Sequence, residues 1–380
     1  MASIDGNSLI KPFIITVSAR TLFDLEESHA VFTEQGIQAF EQYQKEREHE
    51  PLAPGPIFPL VKKLLALNAK LPAGARPFEV VLLSRNSTQT AVRVLNSIES
   101  LGLPLIRAIF TGGEPSSTYI NAIGVDLFLS SNPEEVAKAV NECQIAGATI
   151  LAARGNASFS DPEQIRIALD GDSVIFSDEA ERIYGEGGLE EFQRHEHQNA
   201  HVPLQAGPFR GLLEAIHLIQ QAFPHNQSPL RTALITARSM PAHMRAINTL
   251  SSWGVGLDVA MFLGGRPKAP YIRAFRADLF LDDSDHNIEL AREVGPAGHV
   301  PFGVRNQSEG VGRTFSGGEV VPVSPRPVDA TPAPGPSMAI APGPPEIIAP
   351  PTFVPATAAP APGGVPPLPE TPVRRRVPGR

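Results

Sequence analysis

The sequence predicts an α/β protein in which one doubly wound parallel-sheet domain occurs twice in tandem. Three observations carry this expectation. Short apolar runs alternate with helical patterns, as where 232–236 precedes 240–253 and 277–283 precedes 286–294. Such alternation implies a parallel sheet. Acidic and polar residues stand just past the carboxyl ends of these runs, where open parallel sheets bind their ligands. Finally, a shift of 152 residues lays the first half over the second without a gap for long stretches. A unit of that length is a domain rather than a solenoid repeat.

The repeat is explicit along the chain. PLAPGP (51–56) meets PLQAGP (203–208), and RVLNSIESLG (93–102) meets RAINTLSSWG (245–254). TGGEPSSTYINAIGVDLFLSS (111–131) meets LGGRPKAPYIRAFRADLFLDD (263–283). ITVSARTLFDLEE (15–27) meets the segment around Asp170 with a one-residue offset, which sets Val17 and Ala19 opposite Asp170 and Asp172. Ser84 then faces Thr236, Ser116 faces Lys268, and Ser130 and Ser131 face Asp282 and Asp283. The first copy, about 10–155, thereby lacks every charged group of the candidate site and reads as a degenerate copy with a structural role. The alternative is a pocket for a nucleotide effector, because Ser18, Arg20, Ser84, Asn86 and the Gly112-Gly113 turn retain groups able to cradle a phosphate.

In the second copy, about 156–305, the run IRIALDGDSVIFSDE (165–179) delivers Asp170 and Asp172 to a strand end, with Gly171 allowing the bend. Two carboxylates in one small volume repel unless a cation or a shared proton intervenes, and oxygen ligands of this hardness suggest Mg²⁺. The competing reading is an Asp-Gly turn between two strands. TALITARS (232–239) ends its apolar run in the hydroxyl of Thr236, GGRPKAP (264–270) presents Lys268 in a Gly/Pro loop, and ADLFLDDSDHN (277–287) closes on Asp282 and Asp283. Taken singly, Thr236 suits a helix N-cap, Lys268 a solvated loop, and the acid pair the start of the following helix.

In their order, these four segments resemble the motifs of the haloacid dehalogenase-like phosphohydrolases, over about 165–303. The resemblance implies that Asp170 attacks phosphorus and that Asp172 serves as general acid, then as general base. It places Thr236, Ala237 and Gly171 on the phosphate and Lys268 on its developing charge. Mg²⁺ would be held by Asp170, by the backbone carbonyl of Asp172 and by an acid of the Asp282/Asp283 pair. A small cap near 180–212 follows from the same fold, with Phe192 and Phe209 available to stack on a base or else to fill the core.

DGDSVIFSDEAERI, PLQAGPFRGLLEAI, TARSMPAHMRAINTLSSWGV, MFLGGRPKAPYI and HVPFG (299–303) together resemble the cytosolic 5′-nucleotidase I family. SARTLF (18–23), FTEQGIQAF (32–40) and TGG (111–113) extend the resemblance through the first copy. It implies a cytosolic, Mg²⁺-dependent hydrolase of nucleoside 5′-monophosphates, AMP prominent among them. Two rivals remain open: a phosphatase of the same fold acting on sugar phosphates or a phosphorylated peptide, and a non-catalytic nucleotide-binding scaffold.

Composition narrows the class further. A net charge of −8 opposes a nucleic-acid surface. The lone Cys143, in a segment that reads as helix, excludes an internal disulfide and fits a reducing cytoplasm. No run of about 18 apolar residues and no signal-peptide core is present, so neither membrane insertion nor export is expected. HEHQNAH (195–201) invites a zinc reading but fits better as a solvated or substrate-gating stretch. The stretch 322–380 holds 19 of the chain's 39 prolines, and 306–380 is expected to be a disordered tail. The subunit number is not legible, and a homo-oligomer is compatible with the sequence.

Overall fold

Side chains alternate between the two faces of a strand, so a strand that is apolar at every position must be covered on both. The second half satisfies that condition. Ile167, Leu169 and Leu234 enter one apolar cluster, while Ala168, Ala233 and Ile235 enter another. The structure, a computed structural model, describes residues 11–71, 77–154, 164–224 and 227–306. The expected tail from 307 onward, and the expected boundary between the copies near 155, lie outside the described residues.

Ten strands form one sheet among those residues. They are β1 (Phe13–Val17), β2 (Phe78–Ser84), β3 (Arg107–Phe110), β4 (Leu127–Ser130), β5 (Ala146–Leu151), β6 (Ile165–Leu169), β7 (Leu230–Thr236), β8 (Val259–Phe262), β9 (Leu279–Asp282) and β10 (Ala297–His299). Their order is β3-β2-β1-β4-β5-β10-β9-β6-β7-β8. Read outward from the middle, β5-β4-β1-β2-β3 has the same connectivity as β10-β9-β6-β7-β8. All neighbours within each half are parallel, and the halves meet through the antiparallel pair β5–β10. The described parts of both halves belong to one compact unit. Opposite strand directions point the carboxyl ends of β1 and β6 to opposite edges of the sheet.

A small apolar void lies between the halves. Its lining includes Ile15 with Ile167, Leu60 with Leu212, and Leu129 with Leu281, each pair separated by the same 152 positions. One contact breaks this symmetry. Lys63, on the helix Phe58–Lys70, donates at 2.7 Å to Asp278 and at 2.8 Å to the carbonyl of Gln164. The position matching Lys63 in the second half is Ala215.

Strand pairing corrects the expected alignment around Asp170. Val17 pairs with Leu82, as Leu169 pairs with Leu234, so both strands keep the 152-residue shift. Ser18, not Val17, therefore stands opposite Asp170, and Ala19 opposite Gly171. A slip within a strand would turn every side chain to the wrong face, so an inserted residue has to be absorbed in a turn. In the first half Phe23 N–H donates to Ala19 C=O, four residues back. In the second, Phe176 N–H donates to Gly171 C=O, five residues back. The extra residue falls at Asp172–Ser173, where Ser173 takes φ +61°. One-residue bulges of this kind are frequent at functional sites.

Cys143 also departs from expectation. The helix Pro133–Asn141 ends before it, and the partly buried thiol sits in the turn leading to β5. No helix among the described residues is long and apolar enough to cross a membrane.

Breaking the Lys63–Asp278 pair leaves a buried carboxylate without its cation. Lys63→Ala should lower stability by about 3 kcal/mol in denaturant titration. An unchanged midpoint would show that the pair contributes nothing to joining the halves.

Candidate active site

The sheet order places β6 between β9 and β7. Three adjacent carboxyl ends therefore bring Asp170, Thr236 and Asp282 to one edge. Gly264 and Gly265, with φ +57° and +79°, turn the chain after β8 and start the helix Ala269–Phe275, with Lys268 immediately before it. That turn is tied to the end of β7: Leu263 N–H donates to Thr236 C=O at 2.9 Å, and Gly265 N–H to Ala237 C=O at 3.0 Å. Gly171 packs closely against the end of β7. A Cβ there would lie 3.2 Å from Thr236 Oγ1.

Lys268 lies at the centre of the pocket. Buried to 3% exposure, its Nζ is 2.7 Å from Asp170 Oδ1 and 2.7 Å from Asp282 Oδ2. Asp282 also accepts from Ser284 N–H at 2.9 Å and from Asn287 Nδ2 at 3.1 Å, so its oxygens are occupied. Asp283 is different. Its backbone carbonyl is held by Asn306 Nδ2 and faces His299 Nε2, both at 3.0 Å, while its buried Oδ2 has no hydrogen-bond partner.

Oxygens of Asp170, Asp282 and Asp283 all lie within 4.8 Å of one another. Burial pushes Asp170 up to about 7, with Lys268 opposing and Asp282 reinforcing the shift. Burial and the neighbouring Glu181 push Asp283 well above the usual carboxylate range. Three clustered carboxylates, one with an unsatisfied oxygen, fit a hard divalent cation.

Of the residues read from sequence, Asp170, Gly171, Thr236, Lys268, Asp282 and Asp283 converge. Ala237, which follows Thr236, is exposed. Thr236 is not an N-cap: it ends β7, and its Oγ1 accepts from Arg238 N–H at 3.3 Å. Lys268 is not solvated, and Asp170 opens no hairpin. Asp172 does not join the three-carboxylate group. Its side chain turns onto Arg238, which reaches it at 2.7 Å through Nη2 and 3.0 Å through Nε.

Arg238 escaped sequence reading, although it follows Thr236 by two residues and replaces an uncharged Asn86 in the other half. So did Glu196. It lies within HEHQNAH, which is not a wholly solvated stretch, because Glu196 is fully buried and paired with Arg238 and Arg245. The helix Glu179–Gln198, kinked at Gly188, forms most of the segment expected as a cap. It also carries Glu181, which accepts from Ser173 Oγ at 2.9 Å and pairs with Arg305 at 2.9 Å. Phe209 and Phe192 are 0% and 8% exposed and belong to the core rather than to a base platform.

Fold and site together define an α/β protein with a buried carboxylate–lysine centre suited to a divalent cation. More narrowly, the chain belongs to the 5′-nucleotidase family, whose model matches residues 6–307. Human cytosolic 5′-nucleotidase 1B is 35% identical over 290 residues, covering 74% of this chain and 47% of that relative. The chain thus spans about half the length of the curated relative it matches. No solved structure matches the sequence.

Because Asp170 and Asp283 are held above the ordinary carboxylate range, a bound cation must displace their protons. Apparent Mg²⁺ affinity should rise with pH through about 7, with protons released on binding. Calorimetry in buffers of different ionisation heat checks this. Affinity that is flat between pH 6 and 8 would contradict it.

Proposed function

We propose that the protein is a Mg²⁺-dependent 5′-nucleotidase of the cytoplasm that hydrolyses nucleoside 5′-monophosphates, AMP among them, to nucleoside and phosphate. Membership of the family supports the substrate class. The observation that carries the chemistry is the Lys268 bridge between Asp170 and Asp282 beside an unsatisfied Asp283 oxygen.

In this reading an Asp170 oxygen attacks phosphorus in line and an aspartyl-phosphate forms as the P–O5′ bond breaks. Asp172 donates its proton to the departing O5′. A water then attacks phosphorus, Asp172 accepts that water's proton, and the bond to Asp170 is released. Thr236 Oγ1–H and Lys268 donate to the phosphate oxygens, where negative charge concentrates in the transition state. Mg²⁺ held by Asp170, Asp283 and the Asp172 carbonyl would neutralise phosphate charge when bound. Asp282 belongs to the same site as the anchor of Lys268.

The two halves read best as tandem copies of one haloacid dehalogenase-like domain, 10–155 and 156–305, a reading supported by their shared connectivity and register. We assign the first a structural role. Where the second half has Lys268 and Asn287, the first has Ser116 and Glu135. The Glu135 carboxylate accepts from Ser116 N–H at 3.1 Å and Oγ at 2.7 Å. An acid in that place disfavours the alternative of a phosphate-bearing effector.

Asp170→Asn should abolish turnover while leaving the fold intact by circular dichroism, and Asp172→Asn should be nearly as damaging. EDTA should silence the enzyme until Mg²⁺ is restored. A panel of nucleoside monophosphates, sugar phosphates and a phosphopeptide, read by phosphate release, tests the substrate class. Faster release from a sugar phosphate or the peptide than from every nucleotide would reject it, as wild-type turnover by Asp170→Asn would reject the nucleophile.

A further inference from the structure

Asp172 has to present its carboxylate to the leaving oxygen, yet it sits on a turn widened by one residue, and turns of that kind do not fix a side chain by themselves. Arg238 supplies the constraint, gripping both carboxylate oxygens. The arginine is itself immobilised. Its side chain is 1% exposed, lies 5.9 Å from the Phe176 ring and 5.6 Å from the Phe192 ring, and donates to Ala242 C=O at 3.2 Å. Its Nη1 is paired with Glu196, a fully buried acid on the helix Glu179–Gln198. We propose that Glu196 is the positioning residue that holds Arg238 against Asp172 and so ties the acid–base carboxylate to the helix over the site.

The first half provides an internal control. Arg93 stands 152 positions before Arg245 and does the same packing work. Its Nε donates to Glu50 C=O at 3.0 Å, as Arg245 Nε donates to Val202 C=O at 2.9 Å. The residue matching Glu196 is Gln44, equally buried, which accepts from Arg93 Nη1 at 3.2 Å. Fastening that helix to its neighbour therefore needs only a neutral amide. The negative charge of Glu196 occurs in the half where Asn86 is replaced by Arg238 and the widened turn carries Asp172. A buried acid is costly unless paired, so Glu196 and Arg238 make sense together, and their shared target is Asp172.

The inference rests on the acid–base role given to Asp172 above, and the test separates the two. p-Nitrophenolate departs without a proton, whereas the O5′ alkoxide of AMP needs one. Glu196→Gln should lower kcat on AMP by about 30-fold with KM within about threefold, while the pre-steady-state burst of p-nitrophenolate from p-nitrophenyl phosphate keeps its rate within about threefold. Asp172→Asn should show the same selectivity more strongly. The paired change Arg238→Asn with Glu196→Gln reproduces Asn86 and Gln44 of the first half, removes both members of the buried Arg238–Glu196 pair together, and should again be selective. If Glu196→Gln and the paired variant slow the burst and AMP turnover equally, or leave both at wild type, while Asp172→Asn remains selective, the positioning role is overturned and the acid–base role stands. If Asp172→Asn itself slows both equally, the acid–base role fails and the positioning role with it.

Discussion

The rest of the site depends on one buried ammonium. Lys268 lies 2.7 Å from carboxylates on two neighbouring strand ends, with Asp283 packed beside them. In a medium of low polarity these acids repel strongly, and burial already pushes Asp170 up to about 7. The lysine opposes that shift and favours the ionised form of Asp170. Its own placement follows from the Gly264-Gly265 turn tied to Thr236 and Ala237, so the Thr236 hydroxyl and the ammonium are set by the same backbone hydrogen bonds.

Comparison of the halves separates the features they share from those confined to one of them. Asp126 accepts from Ile14 N–H at 2.7 Å, as Asp278 accepts from Arg166 N–H at 2.9 Å. Those acids sit at the amino ends of the strands and are shared, so they serve the fold. At the carboxyl ends the halves diverge. Serines replace the carboxylates, and Glu135 bonded to Ser116 fills the place taken by Asn287 beside Lys268. The extra residue at Asp172–Ser173 is confined to the charged half. There it brings Ser173 Oγ to Glu181 and lets Asp172 face Arg238. An insertion that left strand register untouched was enough to reshape the edge where the carboxylates gather.

Much of this was legible in the sequence because the signals were local. An apolar run ending in an acid reports both a strand and the position of its carboxyl end, and so Asp170, Thr236 and Asp282 could be brought together before any coordinates. The 152-residue shift foretold the shared connectivity. The misplaced offset at Val17 had a physical cause: an aligned sequence shows that a residue has been added but not whether a strand or a turn absorbs it. Arg238 and Glu196 were missed for a different reason. They are 42 residues apart and meet only when the helix Glu179–Gln198 folds over β7, and within HEHQNAH a buried glutamate looks like its exposed neighbours. Likewise Asp282 and Asp283 are indistinguishable as letters. Only the hydrogen bonds to Asp282, and their absence at Asp283 Oδ2, separate the anchor of the lysine from the acid with an oxygen to give.

The antiparallel joint between β5 and β10 gives the first half its relation to the site. Because the strands of the two halves run in opposite directions, the serine-lined edge and the charged edge face away from each other. Among the described residues, the carboxyl ends of the first half's strands therefore point away from the carboxylates around Asp170. The first half acts through the sheet, covering the inner flank of β9 and β6 across the shared apolar core and anchoring the start of β6 through Lys63, Gln164 and Asp278. A strand that carries a carboxylate at its carboxyl end is positioned by what grips its other end, and here that grip comes from Lys63 of the first half. The first half thus completes the sheet on which the acids of the second are held.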